Sequence, residues 1–267
     1  MSLIQEQFFD IGANLTHKSF KSDIDKVIID SIESGVRRMS VTGSCLADSI
    51  IAAEIAEEYS ETCVSTAGIH PHNAKEYSLE LFSEIKDLLN KDSVKCIGET
   101  GLDFNRNFSS PEQQIKSFEA HLELSIEKDL PLFLHERDAH EKFVEITSTC
   151  INDLPKSVVH CFTGDKDSLI KYLDMGFYIG ITGWLCDERR GSHLKELIPL
   201  IPLEKLMIET DSPYLLPRDM GLDNSARNEP KYLPHIAKRI SEIRNESEEL
   251  IFSSIYMNSL DFFDISI

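Results

Sequence analysis

The sequence predicts a (β/α)8 barrel of the α/β class. Three observations carry this reading. Short apolar runs alternate with amphipathic segments of helical length, the pattern of repeated βαβ units and a parallel sheet. About eight such runs are present, the closure number of the barrel. Four of them end in a carboxylate or an imidazole: residues 94–98 at Glu99, 130–134 at His135, 158–159 at His160 and 206–210 at Asp211. In a parallel barrel all such ends open onto one face.

In chain order, the candidate strands are residues 8–11, 39–42, 63–67, 94–98, 131–134, 157–159, 177–181 and 206–209. Between the first two, residues 23–34 place Ile24, Val27, Ile28 and Ile32 on one helical stripe. Residues 47–59 do the same with Ile50, Ile51, Ile55 and Ala56. Helical patterns at 79–89, 111–127, 140–150, 166–173, 192–197 and 233–243 follow, and 247–258 closes the series. Ser110-Pro111-Glu112 reads as a helix start: a serine cap, a proline in the first turn and an acid near the positive end of the helix dipole. The competing architecture, an open doubly wound sheet, usually carries a glycine-rich phosphate loop after its first strand. Asp10-Ile11-Gly12-Ala13-Asn14 is not such a loop. No linker, low-complexity tract or repeat divides the 267 residues, so a single barrel domain over residues 1–267 is expected.

A formal charge of −19, from 27 basic and 46 acidic residues, argues against bulk attraction to nucleic acid. It does not exclude a local basic mouth. Much of the acid, such as Glu54, Glu57 and Glu58, falls on helical faces, where it solvates the surface. The six cysteines form no CxxC pair and read as reduced thiols. No apolar stretch approaches the ~20 residues of a membrane span. The first ten residues lack a basic leader with an apolar core, so no secretory signal is visible. A cytoplasmic protein is expected (nuclear in a eukaryote), with no membrane partner and as a monomer.

Glu99, His135, His160 and Asp211 together make a mixed oxygen and nitrogen cage for a divalent cation. A carboxylate that follows a buried run must be paired or metal-bound, because desolvation is otherwise expensive. Asp211 is expected to hold the attacking water and take its proton. Glu209, two residues earlier on the same strand face, is a candidate partner or barrel-interior acid. Asp103 is expected to order its loop. His70 and His72 end the third run and are assigned to a substrate phosphate in preference to the metal. Arg106, Arg137, Arg189 and Arg218 lie in the loops after the strands, where they could meet a phosphate backbone. Phe104, Phe108, Phe162, Trp184 and Tyr214 sit on the same loops, either as core caps or as stacking surfaces for unpaired bases.

The chain resembles the TatD family of metal-dependent deoxyribonucleases. The resemblance is carried by Phe9-Asp10-Ile11-Gly12-Ala13-Asn14, Gly68-Ile69-His70-Pro71-His72, Gly98-Glu99-Thr100-Gly101-Leu102-Asp103, His135-Glu136-Arg137-Asp138, His160-Cys161-Phe162-Thr163-Gly164, Gly183-Trp184-Leu185-Cys186-Asp187 and Glu209-Thr210-Asp211-Ser212-Pro213. It implies a (β/α)8 TIM barrel of the metallo-dependent hydrolase superfamily. It also implies magnesium-dependent hydrolysis of DNA, with manganese or zinc as alternatives, often as a 3′→5′ exonuclease preferring single strands. The family's metal-binding carboxylate, two histidines and aspartate map to Glu99, His135, His160 and Asp211, with Glu99 and Asp211 closest to the chemistry. Many relatives carry a His-x-His pair after the first strand, where this chain has Gly12 and Asn14, as the TatD subgroup proper does. Fewer protein ligands leave more water on the metal, which suits Mg²⁺. Two rival readings remain at this level. One is an amidohydrolase or phosphotriesterase-like enzyme acting on a small molecule. The other is a non-catalytic barrel.

Overall fold

Residues 6–223 and 225–266 are described by a computed structural model. Eight parallel strands pair in the order of the chain: β1 (Phe8–Ala13), β2 (Val36–Val41), β3 (Cys63–Ala67), β4 (Val94–Asp103), β5 (Leu132–Arg137), β6 (Ser157–Val159), β7 (Tyr178–Ile181) and β8 (Leu206–Ile208). Nine helices surround them among the described residues: α1 (Ile24–Glu33), α2 (Leu46–Glu58), α3 (Leu79–Leu88), α4 (Pro111–Lys128), α5 (His140–Ser148), α6 (Lys166–Asp174), α7 (Leu194–Leu197), α8 (Leu233–Ile243) and α9 (Glu248–Phe262). The expected barrel is met. Its seam closes past the end of β8. There Asp211 N–H donates to the Gly12 carbonyl at 2.8 Å, and Ala13 bridges Ser212 in parallel. Below this, the buried Asp10 carboxylate accepts the Thr210 N–H and hydroxyl and so ties β1 to β8.

Helix starts follow local chemistry. Ser110 and Gln113 exchange side-chain and backbone hydrogen bonds in a capping box at the head of α4, with Pro111 in the first turn. Asp165 caps α6 by accepting the Ser168 N–H at 2.9 Å. The floor of the barrel is a compact apolar plug of Phe9, Ile11, Val64, Cys96, Phe133, Val158 and Met207. Phe262 and Phe263 at the end of α9 close it from beneath, with Phe263 stacked on Phe9 at 5.0 Å between ring centroids. Each such side chain, fully buried, contributes about 1.5–3 kcal/mol.

Side chains alternate across a strand, so the residue two positions after a plug residue points into the barrel one layer higher. Phe133 is thus followed by His135, Val158 by His160, and Met207 by Glu209. An apolar floor with a polar layer above it follows from this period of two.

Three strands run further than expected, β1 to Ala13 and two others by more. β4 continues to Asp103 and β5 to Arg137, so Glu99 and His135 lie within strands instead of just beyond them. The cause is continued pairing of Thr100–Asp103 with Leu134–Arg137 after a register shift. Close approach of the two backbones permits this. Gly101 has φ +139°, and a Cβ there would lie 2.0 Å from the His135 carbonyl oxygen. α9 also outruns its expected end at residue 258 and supplies Phe262 to the plug.

Candidate active site

The C-terminal ends of the strands open onto a cavity of about 840 Å³. His70, His72, Glu99, Arg106, His135, Arg137, His160 and Asp211 all line it. Two expected residues do not. Arg189 folds its guanidinium back onto Asp187 at 2.8–3.0 Å, and its neighbour Arg190 lines the cavity instead. Arg218 lies in a short turn after β8, away from the lining. The His70–His72 pair begins a 3-10 turn, Pro71–Glu76, and does not continue β3 as an extended end.

One atom is the meeting point of the site. Glu99 Oε1 lies 2.7 Å from His160 Nε2, 2.9 Å from His135 Nδ1 and 3.2 Å from His70 Nε2. His160 Nε2 and His135 Nδ1 are 3.4 Å apart. Two of the three imidazoles, His160 and His70, are held from behind. Glu209, fully buried, faces His160 Nδ1 at 3.3 Å and also accepts the Cys161 N–H. The His72 N–H donates to His70 Nδ1 at 3.0 Å, so a neutral His70 carries its proton on Nε2 and donates it to Glu99. Asp103 Oδ2 accepts from His72 Nε2 at 2.7 Å, while its Oδ1 accepts the backbone N–H groups of Asn105 and Arg106. The loop-ordering role expected of Asp103 is met by these bonds.

Asp211 stands on the opposite wall. Its Oδ1 accepts Asn14 Nδ2 at 2.8 Å. Asp211 and Cys161 both adopt left-handed backbone conformations, φ +52° and +44°. A non-glycine residue there costs about 1–2 kcal/mol, and both residues sit at strand exits lining the cavity. Strain of this kind is concentrated at functional sites.

The electrostatics divide the acids. Burial pushes Glu99 up, but the His70 and His160 imidazoles and the His135 hydrogen bond outweigh it and hold the carboxyl well below its usual range. Asp103 is also held low, with His135 and His72 overcoming burial. Asp211 goes the other way, to about 7, because burial dominates and the Glu99 and Glu209 charges add to it. Burial lowers His70 to about 4 and keeps it neutral. His160 is raised well above its ordinary value: burial opposes this, and the Glu99 and Glu209 charges prevail.

A profile of the TatD related DNase family matches residues 9–264. The chain belongs to the TatD family. It is 47% identical over 258 residues to the 3′-5′ ssDNA/RNA exonuclease TatD of Pantoea ananatis, covering 96% of this chain and 99% of that one. Its identity to the protein of the same name from Escherichia coli K12 is 46% over 259 residues, 97% and 99% of the two chains. The crystal structure of YJJV, a TatD homologue from Escherichia coli K12, superposes with a TM-score of 0.90 at 24% identity over 98% of this chain and 100% of that chain, which shows the shared fold. The TatD family makes this chain a nuclease-type hydrolase and implies a divalent metal.

The residues present fit such an ion. His160 has a carboxylate on each ring nitrogen, so the gap between His160 and Glu99 is stable only with a cation in it, a proton or a metal. His135 Nε2 is buried without a hydrogen-bond partner, with Asp103 Oδ2 3.5 Å away. Imidazole nitrogens and carboxylate oxygens converging in this way suit a borderline or hard divalent ion. Glu209 also accounts for Gly12. A Cβ at Gly12 would lie 2.3 Å from Glu209 Oε2, and one at Gly180 would lie 2.8 Å from Glu209 Oε1. The first strand therefore has no room for a side chain at position 12. Glycines inside two strands were the sequence signal for this close approach.

Proposed function

We propose that this protein is a divalent-metal-dependent exonuclease that removes nucleotides from the 3′ end of single-stranded DNA, with RNA as a second substrate. The observation that carries the reading is the convergence of His70, His135 and His160 on one oxygen of Glu99 at the floor of an open cavity. The family match and the names of the curated relatives support the substrate and the direction.

Glu99, His135, His160 and Asp211 would hold the metal. Mg²⁺ suits a site that Gly12 leaves short of protein ligands, with Mn²⁺ and Zn²⁺ as alternatives. When bound, the ion supplies Lewis-acid polarisation of the phosphoryl oxygen and a lowered pKa for water. Asp211 orients the attacking water in line with the leaving oxygen and accepts its proton. Its hydrogen bond from Asn14 fixes one carboxylate oxygen and leaves the other for that task. With a metal on the Glu99 oxygen, the His70 Nε2–H would be released to donate to the phosphate, and His72, held by Asp103, would border it. Arg106 and Arg137 neutralise charge that builds on it. Among the described residues no helix is long and apolar enough to cross a membrane. Six free cysteines suit a reducing compartment, and we place the enzyme in the cytoplasm. One chain supplies the whole cluster, and the reading is of a monomer.

The test uses end-labelled single- and double-stranded oligonucleotides with Mg²⁺, Mn²⁺, Zn²⁺ or a chelator. The expected result is a ladder shortening from the 3′ end of the single strand, abolished by the chelator. Intact strands in every metal, or cleavage that persists in chelator, overturn the proposal.

A further inference from the structure

The net charge of −19 gives this chain no long-range attraction for a polyanion, so something short-ranged must hold the strand. Two large rings that line the cavity are left in water: Phe108 is 58% exposed and Tyr214 is 53% exposed. Most aromatics of this molecule are buried, and the cavity face is a costly place to leave apolar surface. Each ring is mounted on a residue of the site. Phe108 meets the His72 ring edge-on at 4.8 Å, and His72 meets His70 at 4.3 Å. Tyr214 follows Asp211 by three residues, and its N–H donates to the Asp211 carbonyl at 3.0 Å. Phe108 comes from the loop after β4 and Tyr214 from the loop after β8. Four strands apart in an eight-stranded barrel, these loops face each other across the mouth.

We propose that Phe108 and Tyr214 are stacking platforms for the two unpaired bases that flank the scissile phosphate, and that they select single strands. The inference rests on the nuclease reading above and adds how that site holds its substrate. Both faces of a base inside a duplex are already covered by its neighbours, so a ring can engage only an unpaired or frayed base. Every base has a π-face, so such a grip tolerates any sequence. The strand crosses the mouth from one ring to the other, which centres a phosphate over Glu99, His135 and His160.

The experiment pairs Phe108→Leu and Tyr214→Leu with an oligonucleotide whose two 3′-terminal residues lack bases. Leucine keeps apolar bulk and removes the flat face, and both positions are too exposed to threaten folding. Binding is read by fluorescence anisotropy in chelator, and cleavage in Mg²⁺. Each variant is expected to bind the ordinary strand at least about fivefold more weakly, the low end for losing one stacked base. In cleavage the loss should fall on KM more than on kcat. On the abasic strand the variants should match the unaltered protein, because nothing is left to stack. Equal losses on both strands would make the rings structural, and no loss on either would make them bystanders; each result overturns the proposal. Binding is read without turnover. If no strand is cleaved but the anisotropy pattern holds, the nuclease reading fails and the stacking sites stand.

Discussion

Glu99 and Asp211 face each other across one cavity, and the structure treats them in opposite ways. Glu99 lies among three imidazoles and is held well below the usual carboxylate range. Asp211 lies on the wall between β8 and β1, close to other carboxylates, and is pushed up to about 7, chiefly by burial. One wall is built to stay ionised and hold a cation. The other is built to exchange a proton near neutrality. Two acids whose surroundings drive their pKa values apart mark a division of labour: both would hold the metal, and Asp211 alone would also take a proton.

The largest effect should come from the proton-exchanging wall. Asp211→Asn is expected to keep the fold, by circular dichroism, and to lose at least about a hundredfold in single-turnover cleavage, the usual scale for a general base. A near-normal rate would break the division at once. Next comes the support behind His160. Glu209→Gln keeps one acceptor but sets an amide NH₂ against the other of two donors, the Cys161 N–H and His160 Nδ1, which now use separate oxygens. Metal affinity should fall about 10- to 100-fold in calorimetry, the typical result of removing such an orienting partner. Unchanged affinity would leave Glu209 with a packing role only.

A third test concerns what props the imidazole wall. His121 is fully buried, accepts the Ile69 N–H beside His70, and is lowered to about 4 by burial. The unfolded chain therefore takes up a proton below about pH 6.5 that the folded chain refuses until about pH 4. Stability from this group is whole above pH 6.5 and declines as pH falls toward 4, by up to about 1.4 kcal/mol per pH unit. Urea unfolding at several pH values should show that slope, to which His70 adds, and His121→Asn should make it shallower. The smallest effect is a refinement of the other wall. The Asn14 hydrogen bond lowers the Asp211 pKa. Asn14→Ala should raise it and move the acid limb of the pH–rate profile to higher pH. A shift to lower pH would mean that Asp211 is not the group being read.

Much of this was legible in the chain. Short apolar runs and striped helices gave the barrel, because a buried parallel strand and a half-buried helix each have a fixed period. The same period put His135 one layer above Phe133 and His160 one layer above Val158. What was hidden depends on partners distant in sequence. The extension of β4 to Asp103 requires pairing with β5 across a register shift, which leaves no local mark apart from Gly98 and Gly101. That Arg190 and not Arg189 lines the cavity is decided by the bond of Arg189 to Asp187. The proton position on His70 is set by the backbone N–H of His72, a contact made by the turn alone.

The central claim is that the cluster around Glu99 is a metal centre, and diffraction from crystals soaked in Mn²⁺ tests it most directly. The account predicts an anomalous peak about 2.2 Å from imidazole nitrogens of His135 and His160 and from a Glu99 oxygen. A cavity floor with no anomalous scatterer at saturating Mn²⁺, or a peak bound elsewhere, would contradict it.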